Sequence, residues 1–244
     1  MGGSKKEYPR KMDYLDYFVA GIPAGALFKL NFDKLIKVAE ASEESSDYGL
    51  NTIAEICLVA IVSYFESFCK NNYASTINIC PRILKNIEKT RKDITFDIEE
   101  LRTLNFHLND KIGFIISEKL DFGSAKNING LYNELLGFSP FSKDEILKYN
   151  DLLNDRNLLV HHGGIYTLKY GRQTIKKQAT EKRIFLDSLV IRKKDFKVWA
   201  EFVEAVVKKV INKSYENLTE FINNNQLMLQ EETLLALKAL KWYD

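Results

Sequence analysis

The chain has 244 residues, 45% of them apolar and 28% charged, with 35 Lys/Arg against 33 Asp/Glu for a net charge of +2. That composition is globular and rules out a disordered or collagen-like chain. It is long enough to bury a substantial core as one large domain with additions. The near balance of charge gives no whole-chain argument for nucleic acid. Proline is scarce, with four residues, which suits long helices. Cys57, Cys69 and Cys80 form no CxxC pair, and no zinc site can be built from the Cys and His spacings, so buried reduced thiols are expected and no metal. The first residues, Met1-Gly2-Gly3-Ser4-Lys5-Lys6, lack the apolar core of a secretory signal. The uninterrupted apolar run Ile56–Val62 is too short to span a bilayer. The expectation is a cytoplasmic protein with no membrane partner.

Residues 1–22 are polar and aromatic without a clean period and read as an arm. A helix is predicted from Asn31 or Asp33 to about Ser42, followed by an acidic Ser/Glu loop to Asp47. Asn51 or Thr52 caps the next helix, predicted to run to about Asn71 and apolar almost all the way round, as a central helix should be. Its acids Glu55 and Glu66 fall within about 20° of each other at 100° per residue. Glu66 is a candidate partner for Arg156; a solvent-facing stripe carrying both acids is the alternative.

Further helices are predicted at about 80–92, 97–120 and 126–137, the last closed by Gly137. Asp144 begins a helix that Gly163-Gly164 ends. Residues 165–191 then change character. Ile165–Leu168, Arg183–Leu186 and Leu189–Ile191 read as short strands around a polar tip, a small β-hairpin inserted after that helix. A long amphipathic helix is predicted over about 194–223, broken by Asn223-Asn224-Asn225. A final helix, about 229–241, carries Leu229, Leu234, Leu237 and Leu240. The fold class is all-α, organised as an N-terminal arm (1–22), a helical domain (23–223) holding the 165–191 insertion, and a C-terminal helical extension (224–244).

The stretch Asp155–Gly164 concentrates the chemistry. Of three histidines in the chain, His161 and His162 lie here; His107 has no comparable neighbours. Histidine is the side chain most readily used as acid or base near neutral pH. Apolar Ile146, Tyr149, Leu152, Leu153, Leu159 and Val160 gather on one face of the helix, and Arg156 projects from the middle of it. A charge on such a face is costly unless paired or used. His161 falls about 140° round from Arg156, so the two need not meet within one chain, and a groove or a two-fold partner could join them. The plainer alternative is an Arg paired to a buried Glu and a His favoured by the negative end of a helix.

Charge is unevenly placed. Residues 165–197 hold ten Lys/Arg and three Asp/Glu, a local balance of +7, which leaves −5 on the rest. Tyr166 and Tyr170 lie in this segment, with Lys169 and Arg172. Cations attract phosphate and aromatic rings stack on unpaired bases; a solvated, charged hairpin is the alternative. No phosphate-cradling Gly-rich loop and no nucleophile elbow occurs.

The string Asn154-Asp155-Arg156-Asn157-Leu158-Leu159-Val160-His161-His162-Gly163-Gly164 resembles the signature of HEPN-domain proteins: Arg, four to six residues, His, with a polar residue often directly after the Arg. Asn157 fills the polar position; His161 gives the four-residue spacing and His162 the five-residue one. Ser63-Tyr64-Phe65-Glu66-Ser67-Phe68 also looks like the apolar helix of that family with its single acid. The resemblance covers roughly 30–165 and, more loosely, the long final helix.

It implies a HEPN-like helical bundle that dimerises through the motif helices, with both motifs facing one cleft. It also implies a cofactor-free, metal-independent endoribonuclease that leaves 2′,3′-cyclic phosphate and 5′-hydroxyl ends. Arg156 would steady the phosphate, His161 would be the acid/base, Asn157 would help hold the phosphate and Glu66 would position Arg156. His162, Tyr166, Lys169 and Arg172 are expected substrate contacts. Such proteins are commonly toxins or antiviral-defence effectors held silent by an antitoxin or other regulatory protein. Two further readings stay open: a non-catalytic nucleotide- or protein-binding module that needs only Arg156, and a structural adaptor with Arg156 neutralised by Glu66 in a closed core.

Overall fold

A computed structural model describes residues 13–44, 51–92, 94–103, 108–174 and 187–243. The fold is mostly helical, as composition and periodicity predict, and among the described residues the β-pairing is a single antiparallel bridge, Ile165 to Ser188. The helices are α1 (Ala24–Ala41), α2 (Thr52–Ile79), α3 (Ile98–Thr103), α4 (Leu108–Glu118), α5 (Ala125–Leu136), α6 (Lys143–His162), α7 (Leu168–Thr174), α8 (Lys193–Asn224) and α9 (Glu231–Ala239).

The 28-residue helix α2 is the axis of the bundle, packed by α1, α4, α6 and α8. Its Asn51 cap accepts the Ala54 amide at 2.9 Å. Leu58, Ile61, Val62, Phe65, Cys69, Tyr73 and Ile77 are fully buried along it; each such side chain contributes roughly 1.5–3 kcal/mol of transfer free energy. By length and composition α2 could also cross a membrane; here it is the core helix.

The helix runs eight residues past the predicted end at Asn71, through a stretch that reads as polar. Most of the polar groups are satisfied internally, although the Asn72 amide nitrogen and the Tyr73 hydroxyl have no partner among the described residues. Ser75 and Thr76 donate to the carbonyls of Asn71 and Asn72. The Asn72 side-chain oxygen accepts from Ser214 at 2.8 Å and Tyr132 at 3.1 Å. Asn78 Oδ1 accepts the Gly113 amide at 2.7 Å, where α4 comes so close that a Cβ on Gly113 would lie 2.1 Å from the Ala74 carbonyl.

Other boundaries differ for identifiable reasons. Residues 81–86, expected within an α-helix, form a 3₁₀ turn opened by Pro81. Residues 14–21 form two 3₁₀ turns whose Tyr17 and Phe18 are buried in the main core, so this part of the arm is packed on the body. Ala236, Leu237 and Leu240 of the C-terminal extension enter that same core. The predicted hairpin is not confirmed. Ile165 makes only the isolated bridge, and Leu168 starts α7 because the Thr167 hydroxyl accepts the Tyr170 amide at 3.2 Å, a cap rather than a strand residue. The predicted strand Arg183–Leu186 and His107 lie outside the described residues.

Candidate active site at the end of α6

Ser142 caps α6, and a reciprocal bond from the Ser142 amide to Glu145 at 2.7 Å completes a capping box. The helix is held on α2 by an aromatic contact: the Tyr149 ring lies 5.3 Å from Phe65 and 4.9 Å from Phe141. Further along, Glu66 meets Arg156, and Val59 and Ala60 line one groove with Leu159 and Val160; with Tyr149 on Phe65 this sets α6 antiparallel to α2. Gly163 (φ 56°) and Gly164 (φ 82°) then end it in the left-handed region, with the Gly164 amide donating to the Leu158 carbonyl at 3.1 Å.

Arg156 Nη2 donates to Glu66 Oε1 at 3.1 Å, with the two side chains 24% and 26% exposed. The alternative of a solvent-facing acidic stripe therefore does not hold for Glu66. Burial pushes the Glu66 carboxyl above the usual carboxylate range; Arg156 offsets this in part, and Asp121 adds a little to the rise. Two buried groups in this region have no hydrogen-bond partner: Arg156 Nε and the Tyr149 hydroxyl. The pair is tight and incompletely satisfied, and its core is not closed.

The histidines face elsewhere. His161 and His162 are exposed, their rings 6.5 Å apart and edge-on, in the last turn of α6 where the helix dipole favours positive charge. They line a polar pocket of about 290 Å³ with Asn154, Asn157, Thr167 and Lys169. Asn157 and His161, four residues apart, share this wall. Arg156 is not among the residues lining it. One chain thus brings together His161, His162, Asn157 and Lys169, and separately Arg156 and Glu66.

Tyr166 is buried and stacks on Tyr170 at 5.1 Å and 9°, so one ring face is already covered. With Leu158 these two rings make a small second core that supports the pocket. The Tyr170 hydroxyl donates to Asp155 Oδ1 at 2.9 Å and ties α7 to α6. Burial and the Asp155 carboxylate push the Tyr170 hydroxyl well up from its ordinary value, so it stays protonated as a donor. Arg172 belongs to α7; its side chain lies outside the described residues.

Sequence reasoning missed Asn154 and Thr167 as pocket walls and Asp155 as the anchor of α7. The Thr167-x-x-Tyr170 cap was the available signal. Cys57, Cys69 and Cys80 are buried free thiols, as expected.

Beside the motif, Glu55, Ile56, Val59, Ala60, Leu159, Val160 and Gly163 line an open apolar groove of about 360 Å³ between α2 and α6. Ile56 is 58% exposed and Val160 50%.

No protein family, curated protein or solved structure matches this chain.

Proposed function

We propose that the protein is a metal-independent endoribonuclease of HEPN type that works as a homodimer through its motif helices. The observation that carries this reading is the exposed His161 sharing a polar pocket with Asn157, His162 and Lys169, one turn beyond an Arg156 that Glu66 holds in place. RNA brings its own nucleophile. The 2′-hydroxyl attacks the adjacent phosphorus and loses its proton to a base. The P–O5′ bond breaks and the 5′-oxygen takes a proton from an acid. A cation steadies the phosphorane. Histidines from two copies supply base and acid, and Arg156 supplies the cation.

This reading calls for a second copy, because Arg156 does not line its own His161 pocket. The apolar groove beside the motif, with Ile56 and Val160 largely exposed, supplies a face for that copy. Two facing α6 helices would bring the Arg156 of one copy toward the His161 of the other. By resemblance the setting is that of a toxin or antiviral-defence effector in the cytoplasm, restrained by an antitoxin or regulatory protein. The test is cleavage of single-stranded RNA against its 2′-O-methyl counterpart. The reading requires cyclic-phosphate products from the first and none from the second; cleavage of both would discard 2′-hydroxyl attack.

A non-catalytic nucleotide- or protein-binding module is the second reading. It is favoured by Arg156 lying outside the His161 pocket of the single chain, since such a module needs Arg156 and no histidine. It requires binding without cleavage by the dimer.

A further inference from the structure

A larger cavity, about 400 Å³, lies between the C-terminal half of α1 and the first turns of α8, apart from the His161 pocket. Its floor is apolar: Phe32, Ala39, Phe196 and Ala200 line it and are all buried. Its rim is charged. Lys194 and Lys197 are exposed, line the mouth and make no ion pair among the described residues. Lys193 is fixed at the rim, its ammonium donating to the Glu40 carbonyl at 3.0 Å and its amide to Glu44 Oε1 at 2.8 Å. Glu40 and Glu201 add two exposed carboxylates to the same mouth. Glu204 is occupied by Lys208 and the Tyr243 hydroxyl.

These features select among ligands. A purely apolar ligand would leave two free ammonium groups unused. A fatty acid would set its carboxylate among cations but leave the two carboxylates facing its chain. A nucleotide uses every element. Its flat base covers the apolar floor, its ring amino groups donate to Glu40 or Glu201, and its phosphate meets Lys194 and Lys197. We propose that this cavity binds a nucleotide, base inward on the Phe32–Phe196 floor and phosphate outward on Lys194 and Lys197.

The nucleotide can be free or part of a single strand. The second source is within reach of the motif. The Leu189 amide donates to the Gly164 carbonyl at 2.8 Å, at the very end of the motif helix. Lys193 follows only four residues later, at most about 14 Å along the chain. A strand seated at His161 would have Lys193, Lys194 and Lys197 close to its path. The proposal concerns binding only and stands whether or not the histidine pocket cuts RNA.

The test is binding to the full chain by calorimetry for AMP and ribose 5-phosphate, and by anisotropy for a labelled 2′-O-methyl oligoadenylate. Three proteins are compared: wild type, Lys194→Glu/Lys197→Glu, and a charge-matched control, Lys126→Glu/Lys143→Glu, on exposed lysines elsewhere. Binding of AMP at least about tenfold tighter than ribose 5-phosphate, lost in the first double variant and kept in the control, identifies a free-nucleotide site. The same pattern for the oligonucleotide with no AMP binding identifies a strand subsite. Either supports the proposal. Equal loss in both double variants, equal binding of AMP and ribose 5-phosphate, or no binding of any probe would overturn it. The 2′-O-methyl probe has no 2′-hydroxyl to attack and AMP has no scissile linkage, so both binding outcomes are read without cleavage and stand or fall apart from the ribonuclease reading.

Discussion

Arg156 on α6 donates to Glu66 on α2 at 3.1 Å, and both side chains are about three-quarters buried. Removing one partner leaves the other charge in a poorly solvated place, which costs more than the pair itself contributes. Glu66→Ala is expected to destabilise the fold by about 2 kcal/mol, less than for a fully buried pair because a quarter of each side chain is still wetted. A double variant, Glu66→Ala with Arg156→Met, is expected to recover part of that loss. Denaturant unfolding of the two singles and the double measures the coupling. Strict additivity would mean that the pair does not hold the helices together.

The same pair has a pH signature. Burial raises the native pKa of Glu66 above its unfolded value. The native state therefore binds the proton more tightly, and stability falls as pH rises through the window from about 4.3 up to that raised value. Below the window the contribution is fully present; above it the loss is complete. The difference in unfolding free energy between wild type and Glu66→Gln should slope downward with pH across that window and be flat above it. An upward slope would mean that Arg156 outweighs desolvation.

Gly163 ends the motif helix at φ 56° with open space where a Cβ would stand. Gly163→Ala therefore meets no clash, only the backbone penalty of the left-handed region, about 1 kcal/mol. Gly163→Asn should cost less, since asparagine tolerates that region. Thermal unfolding of both variants checks the order. Equal melting temperatures for all three proteins would show that the cap does not fix the position of His161 and His162.

Val160 and Ile56 expose apolar surface on either side of the groove beside the motif. If that groove is the dimer face, Val160→Glu places two like charges near the two-fold axis. It should convert a dimer to a monomer in sedimentation analysis while leaving helix content unchanged, and cleavage should fall in parallel. A dimer that persists would move the interface elsewhere.

Much of this architecture is legible in the sequence where a local rule decides. Gly137 and Gly163-Gly164 mark helix ends, Asn51 marks a start, and Tyr149, Leu152 and Leu153 of the apolar stripe of α6 are its packing face, whereas Val160 of that stripe is exposed and Leu158, outside it, is buried. The sequence misleads where tertiary partners decide. Asn72, Ser75, Thr76 and Asn78 look like a helix terminus and are buried helix interior, because Tyr132 and Ser214 donate to the Asn72 oxygen, Gly113 donates to Asn78, and Ser75 and Thr76 donate to carbonyls one turn back in α2. Alternating Ile165-Tyr166-Thr167-Leu168 suggests a strand, yet Tyr166 is drawn onto Tyr170 and Leu158 and Thr167 caps a helix. In the candidate site, the Glu66–Arg156 contact follows from helix angles and chemistry. The separation of Arg156 from the His161 pocket was legible only as a 140° angle, and which side each faces depends on how α2 lies against α6.

The most direct measurement is RNA cleavage by the purified protein in excess EDTA, comparing wild type with Arg156→Ala, His161→Ala and His162→Ala. The proposed site predicts cyclic-phosphate products from wild type, a loss of at least about a hundredfold in Arg156→Ala and His161→Ala, and a smaller change in His162→Ala. Cleavage retained in both Arg156→Ala and His161→Ala, or intact RNA with the wild-type dimer, would contradict it.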